Sequence, residues 1–161
     1  MAVIHLKTVI DAPIERVFDL ARSIDAHQES TKRTHERAVG GRMSGLIELG
    51  EEVTWRARHL GVWQHLTAQI TEFDRPNYFQ DIMVKGAFAA MKHDHYLQEE
   101  QGETVLVDRF EYSAPFGLLG KFVEVLFLTR YMRSFLVVRN ATLKSLAESS
   151  EWQRFVVDTE K

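Results

Sequence analysis

Two histidines stand one residue apart in the stretch MKHDHYLQEEQGETVLVDRFEY, Met91 to Tyr112, and Asp108 follows beyond a glycine-bearing turn. Such residues can bind a metal ion, move a proton, or orient the polar end of a ligand. In an extended strand His93 and His95 point the same way, with Met91 and Leu97 as companions. Lys92, Asp94, Tyr96 and Gln98 point oppositely, so the histidine side is the inner one. On the following strand Leu106, Asp108, Phe110 and Tyr112 share a face. A two-residue hairpin loop at Gln101-Gly102 would set Leu97 opposite Leu106 and His95 opposite Asp108. The expectation is a carboxylate beside an imidazole on an inner wall.

A buried carboxylate is costly alone and tolerable beside an imidazole. Three readings of the pair stay open. It is an acid–base device in which Asp108 orients His95, an internal polar pair that tethers two strands, or a hydrogen-bonding end for a ligand. His59 is a further inward histidine, but on a strand well separated from the pair. Zinc needs three or four donors converging at about 2.0–2.1 Å for imidazole nitrogen, so no metal site is expected. Ser44, Ser113 and Ser134 lie in no context that exposes a nucleophile. The chain has no cysteine, which excludes disulfides, thiolate metal sites and cysteine nucleophiles.

The elements that position these residues follow from periodicity. Val3 to Ile10 reads as a strand. Pro13 suits a helix start, and Ile14, Val17, Phe18 and Ala21 recur at helical spacing. Ser23 to Ser30 adds a second short helix with Ile24 and His27 inward, and Thr31 to Met43 reads as an edge strand plus a loop. From Leu46 the period becomes two: Val53, Trp55, Ala57 and His59 alternate with Glu52, Thr54, Arg56 and Arg58. Further strands follow with Leu66, Ala68 and Ile70 inward, then Tyr78 to Lys85, Ala87 to Gln98 and Glu103 to Ser113. Close turns between short strands predict an antiparallel meander. After Pro115 the pattern is helical to about Glu148, with Phe122, Val125, Leu128, Met132, Phe135 and Val138 in one stripe. Its cations (Lys121, Arg130, Arg133, Arg139, Lys144) read as a solvated face. Phe116 to Gly120, with two glycines, reads as a turn or a gate for ligand entry. Roughly 28 residues of helix would run about 40 Å and must lie across the sheet to cover its apolar face.

The chain has 161 residues, 45% hydrophobic and 27% charged, the balance of one globular domain. A net charge of −3 sets up no field toward nucleic acid. No stretch is long and apolar enough to span a bilayer, and the N-terminus lacks the layout of a signal peptide. The expected location is cytoplasmic.

The order of elements resembles the helix-grip fold of the START and polyketide cyclase/dehydrase (SRPBCC) superfamily. The closer likeness is to bacterial cyclase/dehydrase-like ligand-binding proteins. It is carried by VTWRARHLG at Val53–Gly61, RPNYFQD at Arg75–Asp81, KGAFAAMKHDHYL at Lys85–Leu97 and GETVLVDRFEYSAPFGLLG at Gly102–Gly120. Where members often carry Gly-Pro-Phe and then a tryptophan before the paired histidines, this chain has Gly86-Ala87-Phe88 and Met91. The resemblance implies an α+β fold: a curved antiparallel sheet of about seven strands around a long C-terminal helix, with two short helices after strand 1. One helix-grip domain is expected over residues 1–148, with 149–161 a frayed tail unless Trp152 and Phe155 dock.

The expected function is binding of a small hydrophobic or amphipathic molecule, lipid- or polyketide-like, in a cavity between sheet and helix. Trp55, His59, Phe79, Met83, Phe88, Met91, His93, His95, Asp108, Phe110, Tyr112, Phe122, Met132 and Phe135 are the candidate ligand-binding residues. The alternatives are an aromatase/cyclase-type enzyme in which His95 and Asp108 are catalytic, and a protein-partner module, including a homodimer. The pattern implies no cofactor.

Overall fold

The computed structural model of the chain describes residues 1–114 and 127–156. The elements are β1 (Ala2–Ile10), α1 (Ile14–Ala21), α2 (Ile24–Ser30), β2 (Arg37–Gly41), β3 (Glu52–His59) and β4 (Val62–Asp74), then β5 (Tyr78–Lys85), β6 (Ala90–Glu100), β7 (Glu103–Ser113) and α3 (Thr129–Glu148). The strands form one antiparallel sheet in the order β1-β7-β6-β5-β4-β3-β2. This is the helix-grip arrangement: a curved seven-stranded sheet, two short helices after the first strand, and a long C-terminal helix on the inner face.

Local chemistry explains the turns. Leu60-Gly61 and Gln101-Gly102 all have positive φ, as two-residue hairpin loops of the tightest kind require. The second turn fixes the register of β6 and β7, and His95 pairs with Asp108 while Leu97 pairs with Leu106. Two register shifts in β4, at Thr67/Ala68 and at Ile70/Glu72, bend the sheet. At Gly41 a Cβ would lie 2.2 Å from the carbonyl oxygen of Glu52, so β2 can approach β3 there only as glycine. Ser23 caps α2, its Oγ accepting from the backbone N–H of Ala26 at 3.2 Å.

Helix α3 runs over β1 and is tied to it by side chains. Lys144 Nζ donates to the carbonyl of Val9 at 2.5 Å, Arg133 Nη1 to that of His5 at 3.2 Å, and Asn140 Nδ2 to Thr8 Oγ1 at 3.1 Å. Its buried face is Met132, Leu136, Arg139, Asn140, Leu143, Leu146 and Ala147. That corrects the expected stripe: Leu136 takes the place given to Val138, and Arg139 belongs to the inner face rather than to the solvated one. Phe122, Val125 and the Phe116–Gly120 segment lie outside the described residues. The chain after α3 does not fray as far as Val156. Ser149 Oγ accepts from Glu151 N at 3.2 Å to start a short 3-10 turn, Trp152 and Phe155 pack on the core, and Val156 is buried. The apolar area of the two rings outweighs the entropy of a free end.

Two packed regions flank a hollow. One gathers α1, α2 and the C-terminal half of α3 around Phe18, whose ring meets Phe73 and Phe79 edge-on at 5.3 Å. Burying that ring contributes about 1.5–3 kcal/mol. The other joins Ile4, Met91, Phe110 and Tyr112 to Met132 and Leu136.

Candidate functional site

Between sheet and helix lies a cavity of about 250 Å³. Alternation puts Trp55, Ala57 and His59 of β3 on its wall, with Leu66, Ala68 and Ile70 of β4 beside them. Phe79 and Asp81 of β5, Met91, His93 and His95 of β6, and Phe110 of β7 continue it. Met132, Phe135, Leu136 and Arg139 of α3 close the opposite side, and Phe88 reaches in from the β5–β6 loop. Of the residues expected from sequence, Met83 and Tyr112 stand off this wall. Met83 packs beside the second core, and Tyr112 is buried with its hydroxyl 2.7 Å from Thr129 Oγ1. Asp108 is fully buried behind the histidines. Phe122 lies outside the described residues.

The polar part of the wall is built across three strands. Asp108 Oδ1 accepts from His93 Nε2 at 2.9 Å, and Asp108 Oδ2 accepts from Asn140 Nδ2 of α3 at 2.5 Å. His95 Nδ1 also comes within 2.9 Å of Asp108 Oδ1, but its N–H does not aim at that oxygen and makes no hydrogen bond. The well-directed partner of His95 is Asp81, whose Oδ2 accepts from Nε2 at 3.2 Å. Asp81 sits opposite His93 in the β5–β6 register, and Phe79 sits opposite His95 and stacks on it with centroids 4.1 Å apart. His95 is thus held between two carboxylates and an aromatic face. Asp94, between the histidines in sequence, faces away and is held by Tyr78 and Gln80 at 2.8 and 2.7 Å.

Charge in this cluster is divided unevenly. For His93, burial and the neighbouring charge of His95 outweigh Asp108 and push the pKa down to about 4. For His95, burial also opposes the charge, but Asp108 and Asp81 outweigh it and the pKa is raised. Burial would raise Asp108, yet the hydrogen bond from His93 and the close approach of the His95 imidazole hold it well below the usual carboxylate range. Asp81 is likewise lowered against its burial, chiefly by His95. With His93 lowered and His95 raised, His95 is the ring of the pair that more readily carries a proton, a group between two carboxylates able to give and retake it at the cavity wall.

One donor each from Asp81, His93 and His95 lies within 4.8 Å of the others, the arrangement from which a metal ion could be held, with Asp108 orienting the rings from behind. His59 takes no part in that trio. It lies three strands away, where its Nδ1 is 2.8 Å from the Tyr131 hydroxyl.

A second polar group lines the β3 end. His27 stacks on Trp55 with centroids 4.2 Å apart, and its Nε2 lies 3.3 Å from Glu36 Oε2. Burial would raise Glu36, but His27 outweighs it and the carboxyl is lowered.

Sequence reasoning missed Asp81, Glu36, Arg139 and Asn140. Asp81 had a readable signal, since it falls between Phe79 and Met83, both assigned to the wall at the same parity.

This is the class of protein the geometry defines: a helix-grip fold enclosing a cavity with a buried imidazole–carboxylate cluster. Solved structures share that fold along nearly their whole length. TTHA0849 from Thermus thermophilus superposes with a TM-score of 0.74 at 18% identity, covering 89% of this chain and 95% of that one. CV1439 from Chromobacterium violaceum gives 0.72 at 13%, covering 92% and 99%. Ginseng major latex-like protein 151 from Panax ginseng gives 0.66 at 14%, covering 92% and 98%. At such identities the likeness speaks for the fold alone. No protein-family model matches the chain, and no curated protein matches it in sequence. No described helix is long and apolar enough to cross a membrane.

Proposed function

We propose that the protein encloses a small apolar or amphipathic molecule between its sheet and α3. The observation that carries this reading is the cavity itself. It offers about 250 Å³ where one water needs about 10–15 Å³, and its wall is mostly aromatic and aliphatic with polar atoms grouped at two places. Apolar contacts supply affinity, and His93, His95 and Asp81 supply orientation. Native mass spectrometry of gently purified protein is the test, because a tight ligand travels with it. In parallel, N-phenyl-1-naphthylamine should bind with micromolar affinity and brighten. Absence of any binding by this neutral apolar dye would end the proposal.

A second reading, as an aromatase/cyclase-type enzyme, is favoured by one feature: His95 is clamped by Asp81 and lies against Asp108, poised as a proton donor at the wall. His95→Gln should then abolish turnover of a bound reactive chain and leave dye affinity within a few-fold. Equal loss of both assigns His95 to packing.

A further inference from the structure

Arg139 is 8% exposed, lines the cavity, and makes no hydrogen bond or ion pair among the described residues. A guanidinium cannot shed its proton, so burial leaves it charged and short of partners. Its α3 neighbour Asn140 turns its amide nitrogen to Asp108 and Thr8 while its amide oxygen makes no hydrogen bond, to Arg139 or to any other group described, and Asp81, the carboxylate whose field Arg139 shares, is committed to His95. Five donors in a planar fork therefore face a chamber whose wall is mostly apolar.

From this we infer that Arg139 is the anchor for the negatively charged end of the enclosed molecule, and that the ligand class is amphipathic monocarboxylates. A carboxylate matches the fork with two parallel N–H···O bonds while an apolar body fills the space toward Trp55 and Met91. A dianion such as a phosphate monoester would meet the fields of Asp81 and Asp108 and is disfavoured. This inference rests on the proposed enclosure of an apolar molecule and specifies which one.

The experiment is displacement of N-phenyl-1-naphthylamine by decanoate and by 1-decanol, at fixed ionic strength, from the wild-type protein and from Arg139→Met and Arg139→Lys. Decanoate should displace the dye at a concentration about tenfold to a hundredfold below that of decanol. In Arg139→Met that preference should vanish while decanol affinity stays within about threefold; in Arg139→Lys part of it should remain, since a point charge replaces the fork. If Arg139→Met fails to fold, the wild-type comparison and Arg139→Lys decide. Equal displacement by acid and alcohol in a wild type that binds the dye overturns the anchor and leaves the enclosure standing. So does a preference that survives in Arg139→Met. A wild type that binds none of the three probes overturns both.

Discussion

His95 and Asp108 stand directly opposite each other on β6 and β7, yet the hydrogen bond to Asp108 from this pair of histidines comes from His93, one pleat away. His95 turns its other nitrogen to Asp81. The two imidazoles, with ring centroids 3.8 Å apart, are therefore shifted in opposite directions from the ordinary imidazole value, His93 down and His95 up.

That difference is measurable by NMR titration of the ring protons. His93 should stay neutral down to about pH 4, and His95 should stay protonated above the ordinary value near 6.5. Superimposable titration curves would refute the division.

Stability should follow the same groups. The unfolded chain takes a proton on His93 below about pH 6.5 that the folded chain refuses until about 4, so stability falls on acidification across that window, by on the order of 3 kcal/mol. Asp108 adds a loss further down, as pH drops through its lowered folded value. His95 acts in the other direction: its contribution is complete below about 6.5 and is lost as pH rises through its raised folded value. Urea midpoints across pH should therefore peak near neutrality, and His93→Gln should flatten the decline between about pH 6.5 and 4.

Asp108 is the acceptor on which His93 and Asn140 converge. Asp108→Ala strands those donors and the His95 charge in the interior, and should cost about 3–5 kcal/mol in urea unfolding. Asp108→Asn keeps an acceptor oxygen and should cost less. A loss below about 1 kcal/mol for the alanine variant would show the cluster to be energetically idle.

Trp55 is buried on the cavity wall, whereas Trp63 is 46% exposed and stacks under Arg56. Occupancy by N-phenyl-1-naphthylamine should quench Trp55 emission by energy transfer, and Trp55→Phe should remove most of that quenching. Unchanged quenching in the variant would place the dye elsewhere.

Ala57 and Ala68 face the hollow with nothing beyond Cβ. Ala57→Phe should fill it, lowering dye affinity about tenfold or more while changing stability by less than about 1.5 kcal/mol. Full dye affinity in a folded Ala57→Phe protein would count against an interior site.

How much of this could be read in advance differs from residue to residue. The histidines and Asp108 were legible because a strand's side chains alternate with a period of two and a two-residue turn leaves one register for the hairpin. Asp81 was less so. The segment between β5 and β6 is irregular around Gly86, and no local rule states which β5 residue lands beside His93.

The order of residues was enough to dictate the elements, the antiparallel meander and the side of each strand that turns inward, because these depend on neighbours only a few residues apart. Folding in three dimensions decided that His95 pairs with Asp81, that Asn140 closes Asp108 from the helix, and that Arg139 is buried. The first depends on how β5 pairs with β6, and the other two on where α3 settles over β1. No spacing along the chain encodes that position, since it results from packing apolar surfaces more than a hundred residues apart.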